Sequence, residues 1–186
     1  MPMRTDHDTY DQWLVLRAQE GDTAALAELV DRWQARLLRH AFRLTGTADA
    51  AADVVQLAWV AIIGGLRRLN DPACFRRWAY RIVGNKAADS VRIRQRDRSQ
   101  TKSFAAEPAE PRAEEHLSAQ QDEMASLHGA MAELSPEHRT ILSLFYVEDM
   151  PLTEIAETLD VPLGTVKSRL HYARSTLKQN LERNKS

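Results

Sequence analysis

The stretch VPLGTVKSRLHYARSTL, Val161–Leu177, decides the fold. At about 100° per residue, Val166, Leu170, Ala173, Leu177 and Leu181 fall within about 80° of one another, the apolar stripe of an amphipathic helix. Lys167, His171, Arg174, Ser175 and Lys178 lie away from that stripe. Just upstream, LTEIAETLD (Leu152–Asp160) offers Ile155, Ala156 and Leu159 as the inner face of a shorter helix. Ala156 is small, as a close helix crossing requires. Asp160, Val161 and Pro162 form the bend, with Val161 facing inward and Pro162 restricting the chain before the next helix.

Two helices at this spacing make a helix-turn-helix. The second would lie in a DNA major groove and present Thr165, Lys167, Ser168 and His171 to base edges, with Arg169, Arg174 and Lys178 nearer phosphates. A plain helical hairpin with a solvated face is the simpler alternative. Against it, the small residue, the bend and the stripe agree, and hydroxyls, imidazole and cations share one exposed surface. The motif does not choose a function, because repressors, activators and response regulators all use it.

The chain around it has 186 residues, 44% hydrophobic and 27% charged, enough for one or two small globular domains. No apolar run approaches the roughly 18 residues of a membrane span, and MPMRTDHDTY lacks a signal-peptide layout, so a cytoplasmic chain without membrane insertion is expected. One cysteine, Cys74, excludes an internal disulfide framework. The net charge of −1 conceals a pattern. Leu66–Arg98 carries ten Lys/Arg against three Asp, Phe104–Ser126 six Asp/Glu against one Arg, and Thr165–Ser186 six Lys/Arg against one Glu. Two basic blocks on predicted helices, flanking an acidic one, point to a polyanionic partner.

The pattern predicts an all-α protein of two small helical domains, 10–98 and 117–183, joined by a flexible acidic linker at 99–116. GDTAALAELVDRWQARLLRHAFRLTG reads as one helix stopped by Gly46. Thr47 caps the next, with Asp49 in its first turn, and this helix runs to about Leu69. A third long helix starts near Pro72. Ser135 and Pro136 open a further helix in the second domain.

Two N-terminal helices carry surplus features. In ADVVQLAWVAIIGGLRRL, the residues Ala51, Val54, Val55, Ala58, Ile62 and Leu66 form a core face, while Leu57, Val60 and Ile63 point elsewhere, among Asp53 and Gln56. A helix apolar nearly all round is either central or docked on a partner, and the docking surface is favoured. In DPACFRRWAYRIVGNKAADSVRIRQRDR, Phe75, Trp78, Ala79, Ile82 and Val83 form the core stripe. Tyr80, Arg81 and Asn85 are the better contact candidates, since cations hold a single strand's backbone while flat groups stack and an amide reads a base edge.

The segments DVVQLAWVAIIGGLRRL and FRRWAYRIVGNKAAD, followed by LSPEHRTILSLFYVEDMPLTEIAETLDVPLGTVKSRLHYAR, resemble the two-domain bacterial sigma factors of the extracytoplasmic-function group. The resemblance spans nearly the whole chain. It implies that Asp53, Gln56, Leu57 and Val60 dock on the clamp coiled coil of the RNA polymerase β′ subunit. It implies that Gly65, Leu69, Ile82 and Asn85 form a pocket for a flipped base of the −10 element, with Arg77, Tyr80 and Arg81 close by. Thr165, Lys167, Ser168, Arg169, His171, Tyr172 and Arg174 would then read the −35 duplex, and the acidic linker would run through the polymerase cleft. Promoter DNA, core polymerase and an anti-sigma factor are the implied partners, with no cofactor. This sequence departs from the family pattern where Leu57 replaces a common carboxylate, where Gly64 and Gly65 interrupt a helix, where Trp78 stands without a second tryptophan, and where Tyr172 replaces a frequent cation.

Other functions fit less well. His7, His40, His116, His128, His138 and His171 are scattered without metal-ligand spacing, and no glycine loop cradles a phosphate, so an enzyme is not expected. Cys74 reads as a small buried residue. A helix-turn-helix regulator acting without polymerase and a sigma mimic that docks on a regulator are the remaining alternatives.

Overall fold

The computed structural model describes residues 6–101, 126–127 and 129–183, and every regular element among them is helical. Helices α1 (Asp6–Gln19), α2 (Thr23–Thr45), α3 (Ala48–Gly65) and α4 (Phe75–Thr101) build the N-terminal half. Helices α5 (Pro136–Leu142), α6 (Leu152–Leu159) and α7 (Leu163–Arg183) build the C-terminal half. Residues 99–101 of the expected linker belong to α4. The rest of that linker and residues 117–125 of the expected second domain lie outside the described residues.

Local chemistry sets the helix ends. Asp22 accepts the amides of Ala24 and Ala25 at 3.0 and 3.1 Å, opening α2. Gly46 closes it at φ 81°, donating its amide to the Phe42 carbonyl at 2.8 Å. This left-handed geometry suits glycine, so Gly46→Ala is expected to destabilise the fold by about 1 kcal/mol. A urea titration beside the parent protein checks it. Thr47 then caps α3 through the Ala50 amide at 3.4 Å. The glycine pair ends α3 earlier than expected, and a 3-10 turn, Leu66–Arg68, carries the chain on. A second such turn, Pro72–Cys74, leads into α4.

Helix α2 is the hub of the N-terminal half and packs against α1, α3 and α4. Leu29, Leu37, Ile62 and Val83 are fully buried there. Burying one such side chain contributes roughly 1.5–3 kcal/mol. Ala48–Arg68 is long and apolar enough by length and composition to cross a membrane, contrary to the sequence expectation. Packing explains that composition, because Ala51, Val54, Val55, Ala58 and Ile62 face the core. Helix α1 was not anticipated from the pattern. Its buried Leu14 and Val15 are adjacent in sequence, while Tyr10, Trp13 and Leu16 are exposed, so no clean stripe marks it.

In the C-terminal half, Ser135 caps α5 through the His138 amide at 3.3 Å. The helix then widens into a π-helical turn, Ser143–Val147, where the Glu148 amide reaches the Ser143 carbonyl at 3.1 Å. Helix α7 packs on α5 and α6 through Val166, Leu170 and Ala173, and buried Asn180 donates Nδ2–H to the Ala130 carbonyl at 3.1 Å.

The two halves pack together, α2 and α4 against α5 and α6. At the junction His40 is fully buried, with Nδ1 3.0 Å from Ser143 Oγ. Burial, aided by the nearby Arg43 cation, pushes its pKa down to about 3. The unfolded chain, with a histidine pKa of about 6.5, binds a proton that the folded chain refuses. Stability is therefore full above pH 6.5 and falls as the pH drops toward 3. Between pH 7 and 5 this amounts to about 2 kcal/mol. Urea titrations at both pH values are expected to show that loss in the parent protein and its absence in His40→Phe.

Candidate nucleic-acid interface

On α7 the buried stripe fixes what faces outward. Val166, Leu170 and Ala173 are buried, whereas Lys167, Ser168, His171, Tyr172 and Arg174 are exposed and Thr165 is half-buried. Asp160, at φ 55°, ends α6 in the left-handed conformation, and the Thr165 and Val166 amides return to the Pro162 carbonyl at 2.9 and 3.2 Å. This turn sets the direction in which α7 leaves α6. Arg169 is half-buried, 3.7 Å from Glu137. Arg174 stacks over the rings of Phe145 and Tyr146, each 5.2 Å away. Its role therefore includes packing of its own domain.

Helix α4 divides the other candidates. Phe75 and Val83 are buried, and Arg77, Arg81 and Asn85 line a different side. Tyr80 departs from the expected contact face. It is 2% exposed, with its ring set edge-on to Trp33 and His40. Burial and the adjacent Glu148 carboxylate push its phenol pKa up. Ile82 is half-buried against the core.

The single pocket expected from Gly65, Leu69, Ile82 and Asn85 is two depressions. One, of about 470 Å³, is lined by Gly65, Arg68, Leu69, Asn70, Asp71, Cys74 and Trp78. A Cβ at Gly65 would stand 2.9 Å from the Trp78 ring, so the bare glycine lets the indole lie against the backbone. Trp78 is half-buried and flanks this depression, rather than sitting wholly in the core. Cys74 is also half-buried. Its thiol donates to Asp71 at 3.2 Å and accepts from Arg77 Nη2 at 2.6 Å. Arg81 and Asn85 line the second depression, about 260 Å³, between the halves, where Arg169 joins them.

On α3, Asp53, Gln56, Leu57 and Val60 share the outward face. Leu57, Val60 and Ile63 are 56%, 68% and 47% exposed and form an exposed apolar stripe. Sequence periodicity found this stripe and the α7 face. It missed Arg43, Arg76, Glu148 and Glu157, whose partners come from the opposite half.

These surfaces define an all-helical protein of two packed halves, with a basic, outward-facing helix in each and an exposed apolar stripe on α3. The Sigma-70 region 2 family matches residues 29–98, and the Sigma-70, region 4 family matches residues 130–179. The chain is 35% identical over 174 residues to the ECF RNA polymerase sigma factor SigL of Mycobacterium tuberculosis (strain ATCC 25618 / H37Rv), covering 89% of this chain and 93% of that one. It is 33% identical over 171 residues to the ECF RNA polymerase sigma factor SigE of Mycolicibacterium smegmatis, covering 89% of this chain but only 66% of that relative's length. The structure of CnrH in complex with the cytosolic domain of CnrY is similar at 26% identity and a TM-score of 0.70, over 93% of this chain and 97% of that one. The chain belongs to the extracytoplasmic-function group of the sigma-70 family. It is an RNA polymerase sigma factor that directs promoter-specific initiation of transcription.

Proposed function

We propose a division of labour within this sigma factor. Residues 10–98 dock on the clamp coiled coil of core polymerase and capture the −10 strand, 99–116 pass through the polymerase cleft, and 117–183 read the −35 duplex. The observation that carries this reading is the pair of basic helices, α4 and α7, each fixed by a buried face on a separate packed half.

Asp53, Gln56, Leu57 and Val60 form the docking face. Arg77 and Arg81 hold the −10 backbone, and Gly65 with Leu69 shapes the depression that takes an extruded base. Unpairing costs a few kcal/mol per base, and contacts in that depression offset it. Asn85 reads from the second depression, while Ile82 and Tyr80 hold α4 in place from its buried side. Thr165, Lys167, Ser168, His171 and Tyr172 address base edges, with Arg169 and Arg174 on the phosphates. The chain itself performs no covalent step, since nucleotide addition belongs to the polymerase, and it works in the cytoplasm. An anti-sigma factor is its inhibitor, a reading that the family resemblance supports.

Run-off transcription with sigma-free core polymerase on a promoter-rich genomic library tests the reading. Discrete new starts are expected with this protein and none without it, and Asn85→Ala is expected to lower them by about tenfold, the value of one good base contact. Core binding without starts would indicate a mimic. Duplex binding without core binding would indicate an independent regulator.

A further inference from the structure

One side chain of α1 reaches the 3-10 turn that shapes the Leu69 depression. Gln19 Nε2 donates to the Leu66 carbonyl and to the Leu69 carbonyl, each at 2.8 Å. These acceptors lie 47 and 50 positions further along the chain. Leu66 is the first residue of the turn Leu66–Arg68, and Leu69 stands just past its end, so one amide brackets the whole turn. The Leu69 amide closes the same turn onto the Leu66 carbonyl at 3.1 Å.

A primary amide carries two N–H donors on one nitrogen without a charge, which is what two converging carbonyls require. The donor is itself fixed. Gln19 is half-buried at the last position of α1, and the chain closes behind it through the Gly21 amide to the Ala18 carbonyl at 3.1 Å and the Asp22 amide to the Arg17 carbonyl at 3.0 Å. Helix α1 also packs on both 3-10 turns. Downstream, the Asp71 carboxylate accepts the Ala73 amide at 2.9 Å and opens the second turn. Asn70 is therefore held between two anchored neighbours. Arg68, Leu69, Asn70 and Asp71 line the depression and Gln19 does not, so any effect of Gln19 on a bound base passes through the backbone of the turn.

We propose that Gln19 is a positioning residue for −10 base capture. It holds the turn in its receiving shape before DNA arrives, which leaves less chain to be ordered on binding. The inference rests on the reading of the Leu69 depression as the place that takes an extruded base.

The test uses the full chain assembled with core polymerase. The probe is a forked fragment of a promoter mapped by run-off transcription, with the −35 element duplex and the non-template −10 strand single. A series of such probes carries one abasic site, moved base by base through the −10 strand. In the parent protein the abasic site is expected to weaken binding by about tenfold at the captured position, the value of one stacked base. Gln19→Met keeps the length of the side chain and lacks both donors. It is expected to bind the intact probe about tenfold more weakly, since two hydrogen bonds of ordinary strength shift the population of the receiving shape by about that factor. At the captured position the abasic site is expected to cost Gln19→Met nothing further, with affinity for core polymerase unchanged. Should Gln19→Met misfold, Gln19→Glu carries the same test, because its carboxylate is of equal size and has no donor at neutral pH. A loss in the Gln19 variants that simply adds to the abasic loss at every position would reduce Gln19 to a structural residue and overturn the proposal, as would unchanged affinity for the intact probe. Leu69→Ala tells the two readings apart. If it couples to one abasic position and the Gln19 variants do not, base capture stands and the positioning role fails. If Leu69→Ala couples to none, the depression does not take a base and both fail.

Discussion

Val60→Asp is expected to weaken binding to core polymerase by at least about 100-fold, while the melting curve of the free protein stays in place. Val60 is 68% exposed, and Leu57 and Ile63 flank it at 56% and 47%. All three are exposed, whereas α3 packs into the core through Val54, Val55, Ala58 and Ile62. Covering one such side chain on a partner contributes roughly 1.5–3 kcal/mol. Aspartate removes that gain and adds a desolvated, unpaired carboxylate to an apolar contact, which costs several kcal/mol more. Val60→Ala is the graded control, with a loss of about tenfold. Biolayer interferometry against immobilised core polymerase separates the two variants. Unchanged affinity for Val60→Asp would mean that the chain docks through another face.

Lys167→Ala/His171→Ala is expected to reduce initiation at promoters bearing a −35 element by about two orders of magnitude, from contacts worth about 1–3 kcal/mol each. Both side chains are exposed on α7, and among the described residues neither has a hydrogen-bond or ion-pair partner that would make its removal a folding defect. The His171 ring meets that of Tyr172 edge-on, with centroids 5.9 Å apart. The reference variants are chosen by the same reasoning. Arg169→Ala is expected to show a smaller loss, because Arg169 is half-buried and shares its charge with Glu137. Arg174→Ala is expected to lower stability as well, because its guanidinium covers Phe145 and Tyr146. Removing Lys167 alone should also flatten the salt dependence of promoter binding by about one unit in log–log slope if it contacts a phosphate. A full rate from the double variant at a −35-dependent promoter would assign the reading to another surface.

What the sequence revealed follows from the range of the interactions involved. The α7 stripe and the α3 stripe arise from local periodicity, and both have the exposure pattern read from the residues. Gly46, Thr47 and Ser135 act at helix ends through partners no more than four residues away. Tyr80 was misplaced because its position on the helical wheel gives no hint of Trp33 and His40 closing over the ring. Gly65 and Asn85 fell into separate depressions because the 3-10 turns between α3 and α4 carry Leu69 beside Trp78 and away from Asn85. The pairing of Glu148 with Arg43 and Tyr80 joins residues 105 and 68 positions apart, a distance over which no periodicity speaks. The C-terminal domain's hydrogen bond from Asn180 to Ala130 was hidden for the same reason, since an amide in an apolar stripe looks like an interruption until its acceptor is known.

The π-helical turn at Ser143–Val147 makes the junction between the halves adjustable by length alone. Its widened ring accommodates one more residue than an α-helical turn would. Loss of a single codon there would relax the turn to α-helix and swing everything downstream by about 100°, carrying Glu148 off Arg43 and Tyr80. A one-residue insertion or deletion at this turn therefore changes how the halves pair while leaving the outward face of α7 as it is.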